Sequence, residues 1–320
     1  MHLADRPVLI TGATGFVGAN LARRLLREGC QVHLLVRREH ATWRLQGIRD
    51  QVQLHQVELD DRTALDQLIS QVRPEWIFHL AAHGAYSWQT GVQQMIQTNV
   101  TGTANLVEAC ARIGFAAFVN TGSSSEYGAK DHPPAEDETL EPNSHYACTK
   151  AAATLLCRYT AQSQNLHLST LRLYSIYGPY EDPGRLFPAL IRKGLQGGLP
   201  PLVSPDTMRD YVYVEDVCEA YLLAASHPGQ APGAIYNVGT GVQTSLGQLV
   251  ELARQLLDIA AEPIWGSMPA RIWDTSVWVA NNRQIREGLG WQPRTSLAEG
   301  FSQTVEWFRQ HSSLVPGEKG

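Results

Sequence analysis

The chain has 320 residues, 43% of them apolar and 18% charged, and a formal charge of −5. That apolar content suffices for one large domain or two coupled ones, and it excludes global disorder. With no block of one sign, no basic tract and no run of 18 apolar residues, neither nucleic acid nor a membrane is expected as a partner.

The opening segment Met1–Pro7 lacks the apolar stretch of a secretory signal, so a cytoplasmic location is expected. The five cysteines (Cys30, Cys110, Cys148, Cys157 and Cys218) are odd in number and form no CxxC pair. They read as free, mostly buried thiols. The eleven histidines form no HExxH or HxH cluster, and no metal is expected.

Taken in chain order, Pro7–Thr11 is a short apolar run and predicts a buried strand. Phe16, Val17, Leu21 and Leu25 recur at helical spacing, so a helix is expected over Phe16–Glu28, closed by Gly29. Further strands are expected at Gln31–Val36, Val52–Val57, Trp76–Ala81, Phe115–Thr121 and Leu168–Leu173. Helices are expected over about Val92–Arg112 and Tyr146–Gln162. Strands separated by helix-length segments predict an α/β fold of Rossmann type, a doubly wound parallel sheet covered on both faces. After Ser175 the regularity fades and Pro and Gly cluster, which reads as a smaller mixed α/β domain with long loops. The division expected is residues 1–175, with 212–238 returning, for dinucleotide binding. Residues 176–211 and 239–320 would then hold the substrate. The end, Ser312–Gly320, reads as a frayed tail.

The first strand runs into Gly12-Ala13-Thr14-Gly15-Phe16-Val17-Gly18, spaced GxxGxxG. Gly12 suits a tight turn with positive φ, and Gly15 a close backbone approach to a pyrophosphate at a helix N-terminus. Gly18 suits close helix–sheet packing. The second strand ends at Val36, where a ribose-binding acid would stand for NAD, and continues into Arg37 and Arg38. Two guanidinium groups suit a 2′-phosphate, so NADP(H) is the expected preference, with NAD(H) possible.

Tyr146 and Lys150 are spaced YxxxK, which puts both on one face of a helix. The phenol's ordinary value near 10 is expected to be pulled down by the ammonium, readying it for proton transfer. A hydroxyl from the segment Asn120–Gly128, after the fifth strand, would lie at the carboxyl edge of the sheet, where such sheets bind ligands.

These motifs, in this order, resemble the extended short-chain dehydrogenase/reductase family of NAD(P)-dependent nucleotide-sugar epimerases, dehydratases and ketoreductases. The likeness runs from Pro7 to about Phe308. It extends to Leu80-Ala81-Ala82, Asn99–Thr103, Leu171-Arg172 with Tyr177-Gly178-Pro179, Arg209–Asp216, Tyr236–Gly239 and Leu289–Pro293. The resemblance implies that Tyr146 is the acid/base, and that Lys150 binds the nicotinamide ribose and tunes Tyr146. It makes Ser123 the third member, with Ser124 the fallback. It further implies that Thr14, Phe16, Val17, Glu58, Leu59, Leu80, Ala81, Ala82, Asn99 and Thr121 border the cofactor together with the glycine loop. Arg209 and Arg271 match arginines that hold a substrate diphosphate. Arg185, Tyr174, Ser175, Ser124 and His83, with Tyr86 and Trp88 nearby, are expected at the substrate.

Several positions depart from the family pattern. Ser124 and Ser125 stand where family dehydratases carry an Asp-Glu pair, which disfavours a 4,6-dehydratase. Glu126, one place later, would point elsewhere. Ser175 replaces an Asn, Glu58 an Asp, and Trp273 a Gly. The function expected is hydride transfer at C4 of a nucleotide-linked hexose, first as a nucleotide 4-keto-6-deoxyhexose reductase. A nucleotide-sugar 4-epimerase is the alternative, and a non-catalytic NADP(H) sensor stands outside the enzyme class. The resemblance also implies a homodimer formed through the Tyr146 and Val92 helices. Ala147, Ala151 and Leu155 make a small apolar stripe that core packing explains equally well.

Overall fold

The computed structural model describes residues 4–227, 231–268, 276–312 and 314. Seven strands form one sheet in the order β10-β6-β5-β4-β1-β2-β3, every neighbouring pair parallel. They are β1 (Pro7–Thr11), β2 (Gln31–Val36), β3 (Gln53–Gln56), β4 (Trp76–His79), β5 (Ala117–Ser123), β6 (Leu168–Leu173) and, later in the chain, β10 (Ile235–Val238). The helices among them are α1 (Phe16–Arg27), α2 (Arg62–Val72), α3 (Val92–Met95), α4 (Gly102–Ile113), α5 (His145–Gln164) and α7 (Val214–Ser226).

Side chains of alternating strand residues enter opposite cores, as the pleat requires. Val8 and Ile10 pack with α1 and α7 on one face, and Leu9 packs with α2, α4 and α5 on the other. Both neighbours of β1, β2 and β4, are parallel to it, but the chain leaves β1 in opposite directions to reach them. A crevice therefore opens at the carboxyl ends of β1 and β4, where such sheets bind ligands. A third core gathers β7 (Ser175–Tyr177), α6 (Leu186–Gly194), β9 (Tyr211–Tyr213), α8 (Leu246–Leu257) and α10 (Leu297–Gln310). Two short pairs complete it, β7 with β9 in parallel, and β8 (Met208–Arg209) with β11 (Thr244–Ser245) in antiparallel. Helix α9 (Arg283–Leu289) packs Ile285 and Leu289 into the first core.

Several boundaries differ from expectation. β4 ends at His79 because the next two N–H groups turn to Thr11, Leu80 to its carbonyl (3.1 Å) and Ala81 to its hydroxyl (3.2 Å). β5 begins at Ala117 and runs on to Ser123, paired with Leu173 of β6. The expected Val92 helix is interrupted by a π-helical turn over Ile96–Thr101, which turns Asn99 wholly inward. The half after Ser175, read as a mixed α/β domain with long loops, holds five helices among the described residues, α6 to α10. Two of them open with capping boxes, Ser245 with Gln248 and Ser296 with Glu299. The five cysteines are free, and all but Cys148 are buried. Almost all of Ser312–Gly320 lies outside the described residues.

Candidate active site

The site forms where β1, β4 and β5 end. Gly12 has φ +71°, and a Cβ there would meet the Leu80 carbonyl carbon at 2.5 Å. A Cβ on Gly18 would meet the Gly12 oxygen at 2.4 Å, so α1 starts hard against the loop. No side chain caps α1, whose N-cap is Gly15. Its first N–H groups, together with the helix dipole, thus face the crevice and suit an anion. This cradle fits the pyrophosphate of a dinucleotide. Thr14, Phe16 and Val17 of the loop and helix start are half-buried, as are Leu80 and Ala81 after β4, while Ala82 is exposed.

Val36 is buried at the end of β2, and Arg37 and Arg38 are exposed just beyond it. The Arg38 N–H donates to the Glu58 carboxylate (3.1 Å). Burial, helped by the Arg37 charge, holds the His83 imidazole below its ordinary value. Leu59 is buried, and its carbonyl accepts from the Asn105 amide (3.0 Å).

The expected proton-transfer set does come together. Tyr146, near the start of α5, is close enough to Ser123, at the end of β5, for the serine to pull the phenol's proton affinity down. Ser123 Oγ also pairs with Ser125 Oγ (2.7 Å), while Ser124 is buried beside it. Lys150 is buried one turn further along α5. The phenol's direction departs from expectation: burial pushes it up to about 12, against the pull of Ser123 and the Arg185 charge, with Glu126 and Tyr86 pushing the same way as burial. Burial likewise lowers Lys150, and the Glu126 carboxylate opposes that.

Two polar networks hold these groups. In the first, Asn99 accepts the His83 N–H (2.8 Å), donates to the His83 carbonyl (2.8 Å) and donates to Thr149 Oγ1 (2.9 Å). It so fixes α5 against the segment after β4. Thr103 gives its hydroxyl proton to the Asn99 carbonyl (2.6 Å), so His79 Nε2, 2.9 Å away, must donate to Thr103. His79 Nδ1 then accepts from the Thr11 hydroxyl (2.7 Å), and the imidazole is neutral.

The second network starts at Glu126. Its Oε1 accepts from the Ser123 N–H (2.8 Å) and the Thr154 hydroxyl (3.0 Å), and its Oε2 from Arg172 Nε (2.8 Å). Arg172 Nη1 donates to the Tyr127 hydroxyl, which donates to Asn237 Oδ1, both at 2.8 Å. Glu126 therefore points away from the crevice, as expected, but it carries the Ser123 backbone. Glu126, in the turn after β5, and Arg172, on β6, were not expected as site residues; the signal available was an arginine in the middle of a buried strand.

Other expected residues are more scattered. The Thr121 hydroxyl is bonded to Tyr221 of α7 (2.6 Å). Tyr174 is buried edge-on to Trp278, its hydroxyl without a hydrogen-bond partner among the described residues. The Ser175 N–H donates to the Asp210 carbonyl (3.0 Å). Arg209 lies over Trp278 at 5.5 Å. Arg185 stands over Tyr86 at 6.0 Å, and Tyr86 stacks on the exposed Trp88 at 5.4 Å. Arg271 and Trp273 lie outside the described residues. Arg44 was missed: it is buried, donates from Nε to the Tyr180 carbonyl (2.7 Å) and from Nη1 to the Thr14 carbonyl (3.3 Å), and so ties the glycine loop to the segment after β7.

A glycine-loop crevice beside a Ser-Tyr-Lys set defines a dinucleotide-dependent oxidoreductase of the extended short-chain type. Residues 8–239 match the NAD dependent epimerase/dehydratase family, and the chain belongs to it. It is 33% identical to a UDP-glucose 4-epimerase of Mycolicibacterium smegmatis, covering 95% of this chain and 99% of that one. It is 30% identical to a dTDP-glucose 4,6-dehydratase of Streptomyces griseus, over 97% of each. Among solved structures, MoeE5 in complex with UDP-glucose and NAD superposes with a TM-score of 0.82 at 32% identity, covering 95% of this chain and 99% of that one. The chain is thus an enzyme of NAD-dependent hydride transfer, and the non-catalytic sensor reading is set aside. No helix among the described residues is long and apolar enough to cross a membrane.

Proposed function

We propose that the enzyme moves hydride at C4 of a nucleotide-activated hexose, prefers NADP(H), and works as a nucleotide 4-keto-6-deoxyhexose reductase. The observation that carries this reading is the Arg37-Arg38 pair beyond β2, where a ribose-binding acid would stand. Guanidinium groups there favour a 2′-phosphate, and cells keep NADPH reduced.

In this reading the bound nicotinamide supplies the hydride to C4 and leaves the other chemistry to the protein. Ser123 holds the ketone oxygen, and Tyr146 gives it the phenolic proton, so that an alcohol is formed. Lys150 holds the nicotinamide ribose and favours the resulting phenolate. Arg209 and Arg271 are the proposed diphosphate ligands, and His83, Ser124, Tyr174, Ser175 and Arg185 the proposed sugar contacts. A 4,6-dehydratase is disfavoured, since Ser124 and Ser125 offer no acid and base, and Glu126 is committed to Arg172.

A second reading, nucleotide-sugar 4-epimerase, is favoured by the likeness to the M. smegmatis enzyme. One incubation separates the two: NADPH with UDP- and dTDP-linked 4-keto-6-deoxyhexoses, and separately with the plain nucleotide hexoses. NADPH consumed with the first set alone supports the reductase. Interconversion of C4 isomers without net cofactor use overturns it in favour of the epimerase.

We also propose a homodimer. Ala147 and Ala151 of the expected stripe are buried within the chain, but Leu155 and Tyr159 on α5 are 54% and 74% exposed, beside Ile96 at 40%. Sedimentation velocity should give twice the chain mass for the protein and a shift to monomer for Tyr159→Glu.

A further inference from the structure

One buried guanidinium joins the glycine loop to the segment after β7. Arg44 sits in a 3₁₀ turn (Trp43–Leu45) after β2 and is 5% exposed. Its Nη1 donates to the Thr14 carbonyl of the glycine loop (3.3 Å), and its Nε to the Tyr180 carbonyl (2.7 Å). Its Cζ lies 4.3 Å from the centre of the Trp43 ring. The rigid fork of a guanidinium holds two acceptors at a fixed separation, which an apolar side chain cannot do.

The segment that Arg44 holds is strained. Tyr180 has φ +68°, a left-handed conformation that is costly for a bulky side chain. Three further contacts keep it there. The Asn20 amide of α1 donates to the Pro179 carbonyl (2.9 Å), the Arg23 guanidinium lies 3.9 Å from the Tyr180 ring centre, and Trp307 of α10 packs on that ring at 4.5 Å. Strain of this kind persists where the surroundings over-determine it, and it marks a segment held for its position.

The position passes on to Arg185. Asp182 Oδ1 accepts the Gly184 N–H (3.1 Å) and the Asp182 carbonyl accepts the Arg185 N–H (2.9 Å), so the turn sets Arg185 at the start of α6. Arg185 in turn stands over Tyr86, on the loop after β4, at 6.0 Å.

Arg44 is also one bond short of full engagement. Its Nη2 is buried with no hydrogen-bond partner among the described residues, and Asp182 Oδ2 stands 3.7 Å away. The Asp182 side chain is 34% exposed, so it has room to move. An approach of about half an ångström would make the bond and satisfy the buried donor. Drawing the glycine loop and the Tyr180 turn together is therefore favourable for both.

We infer that Arg44 is a positioning residue that couples the two ligands of the enzyme. A dinucleotide that fixes the glycine loop fixes Arg44, and through it the turn that carries Arg185 to the second ligand. That ligand is taken as the nucleotide hexose, so the inference rests on the reading above. Linkage makes the coupling reciprocal: each ligand tightens the other by the same factor.

The test is calorimetric binding of plain UDP- and dTDP-hexoses to the wild type, Arg44→Met and Asp182→Ala, each with and without saturating NADPH. The wild type should bind the nucleotide hexose about fivefold to a hundredfold more tightly with NADPH present. Arg44→Met should bring that factor close to one, and Asp182→Ala should lower it. The factor is a ratio, so a merely structural loss, which weakens each binding step alike, leaves it unmoved. A wild-type factor retained by folded Arg44→Met overturns the inference. Asp182 is partly exposed, so if Arg44→Met fails to fold, the factor in Asp182→Ala decides in the same way. A factor of one in the wild type also overturns the inference and leaves the functional reading intact. A wild type that binds none of the nucleotide hexoses overturns both.

Discussion

Glu126 and Arg172 meet at 2.8 Å with both side chains shut off from solvent, and the same carboxylate accepts the backbone N–H of Ser123. A buried pair of this kind adds little over a well-packed apolar pair, but removing one partner strands the other charge. Its place here is positional. It fixes the turn that carries the Ser123 hydroxyl, and its negative charge supports Lys150.

Arg172→Met should therefore destabilise the fold by about 3–5 kcal/mol, measured by urea unfolding. The double variant Glu126→Leu/Arg172→Met should be less destabilised than the sum of the two single variants. Additive losses would show that the two charges act independently.

The Arg37-Arg38 pair makes a separate prediction. Arg37→Ala should weaken NADPH binding at least about tenfold, the scale of one charge-assisted bond to phosphate. NADH binding should be unchanged, by fluorescence titration of both cofactors. Equal losses would show that Arg37 does not read a 2′-phosphate and remove the reason for preferring a reductase.

The His79 chain predicts an acid limit to stability. Buried between Thr11 and Thr103 and near Lys150, the imidazole is lowered to about 3, whereas the unfolded chain titrates near 6.5. Between those values the unfolded state binds the extra proton, so the stability His79 contributes is present above pH 6.5 and is lost as the pH falls toward 3. His33 and His55, stacked across β2 and β3, are lowered too and add to the same limb. His79→Gln should flatten part of the slope of unfolding free energy between pH 6.5 and 4. An unchanged slope would assign the acid limit to the His33–His55 pair or to carboxylates.

Much of this architecture was legible from local pattern. β1, β2 and β6 were read to the residue, β1 as a short apolar run that ends in a glycine turn. The glycine loop and the YxxxK pair were read because spacing alone fixes which side chains share a face. The later helices were not, because Pro and Gly drew attention from the capping boxes at Ser245 and Ser296. The π-helical turn was hidden since it depends on Asn99 finding partners in β4's loop and α5. The upward direction of Tyr146 was missed for a related reason: helical spacing shows Lys150 as a neighbour but does not show how deeply the phenol is covered. Arg44 and Glu126 are placed by contacts between segments far apart in the chain, which no local pattern records.

The most direct test of the whole account is the turnover of Tyr146→Phe, measured with the substrate that the NADPH incubation selects. The phenyl ring keeps the packing and loses the only proton that the scheme allots to the sugar oxygen. The account predicts a fall in kcat of about a hundredfold to ten-thousandfold, with unchanged thermal stability and cofactor affinity. Turnover at the wild-type rate by a folded, cofactor-binding Tyr146→Phe would contradict it.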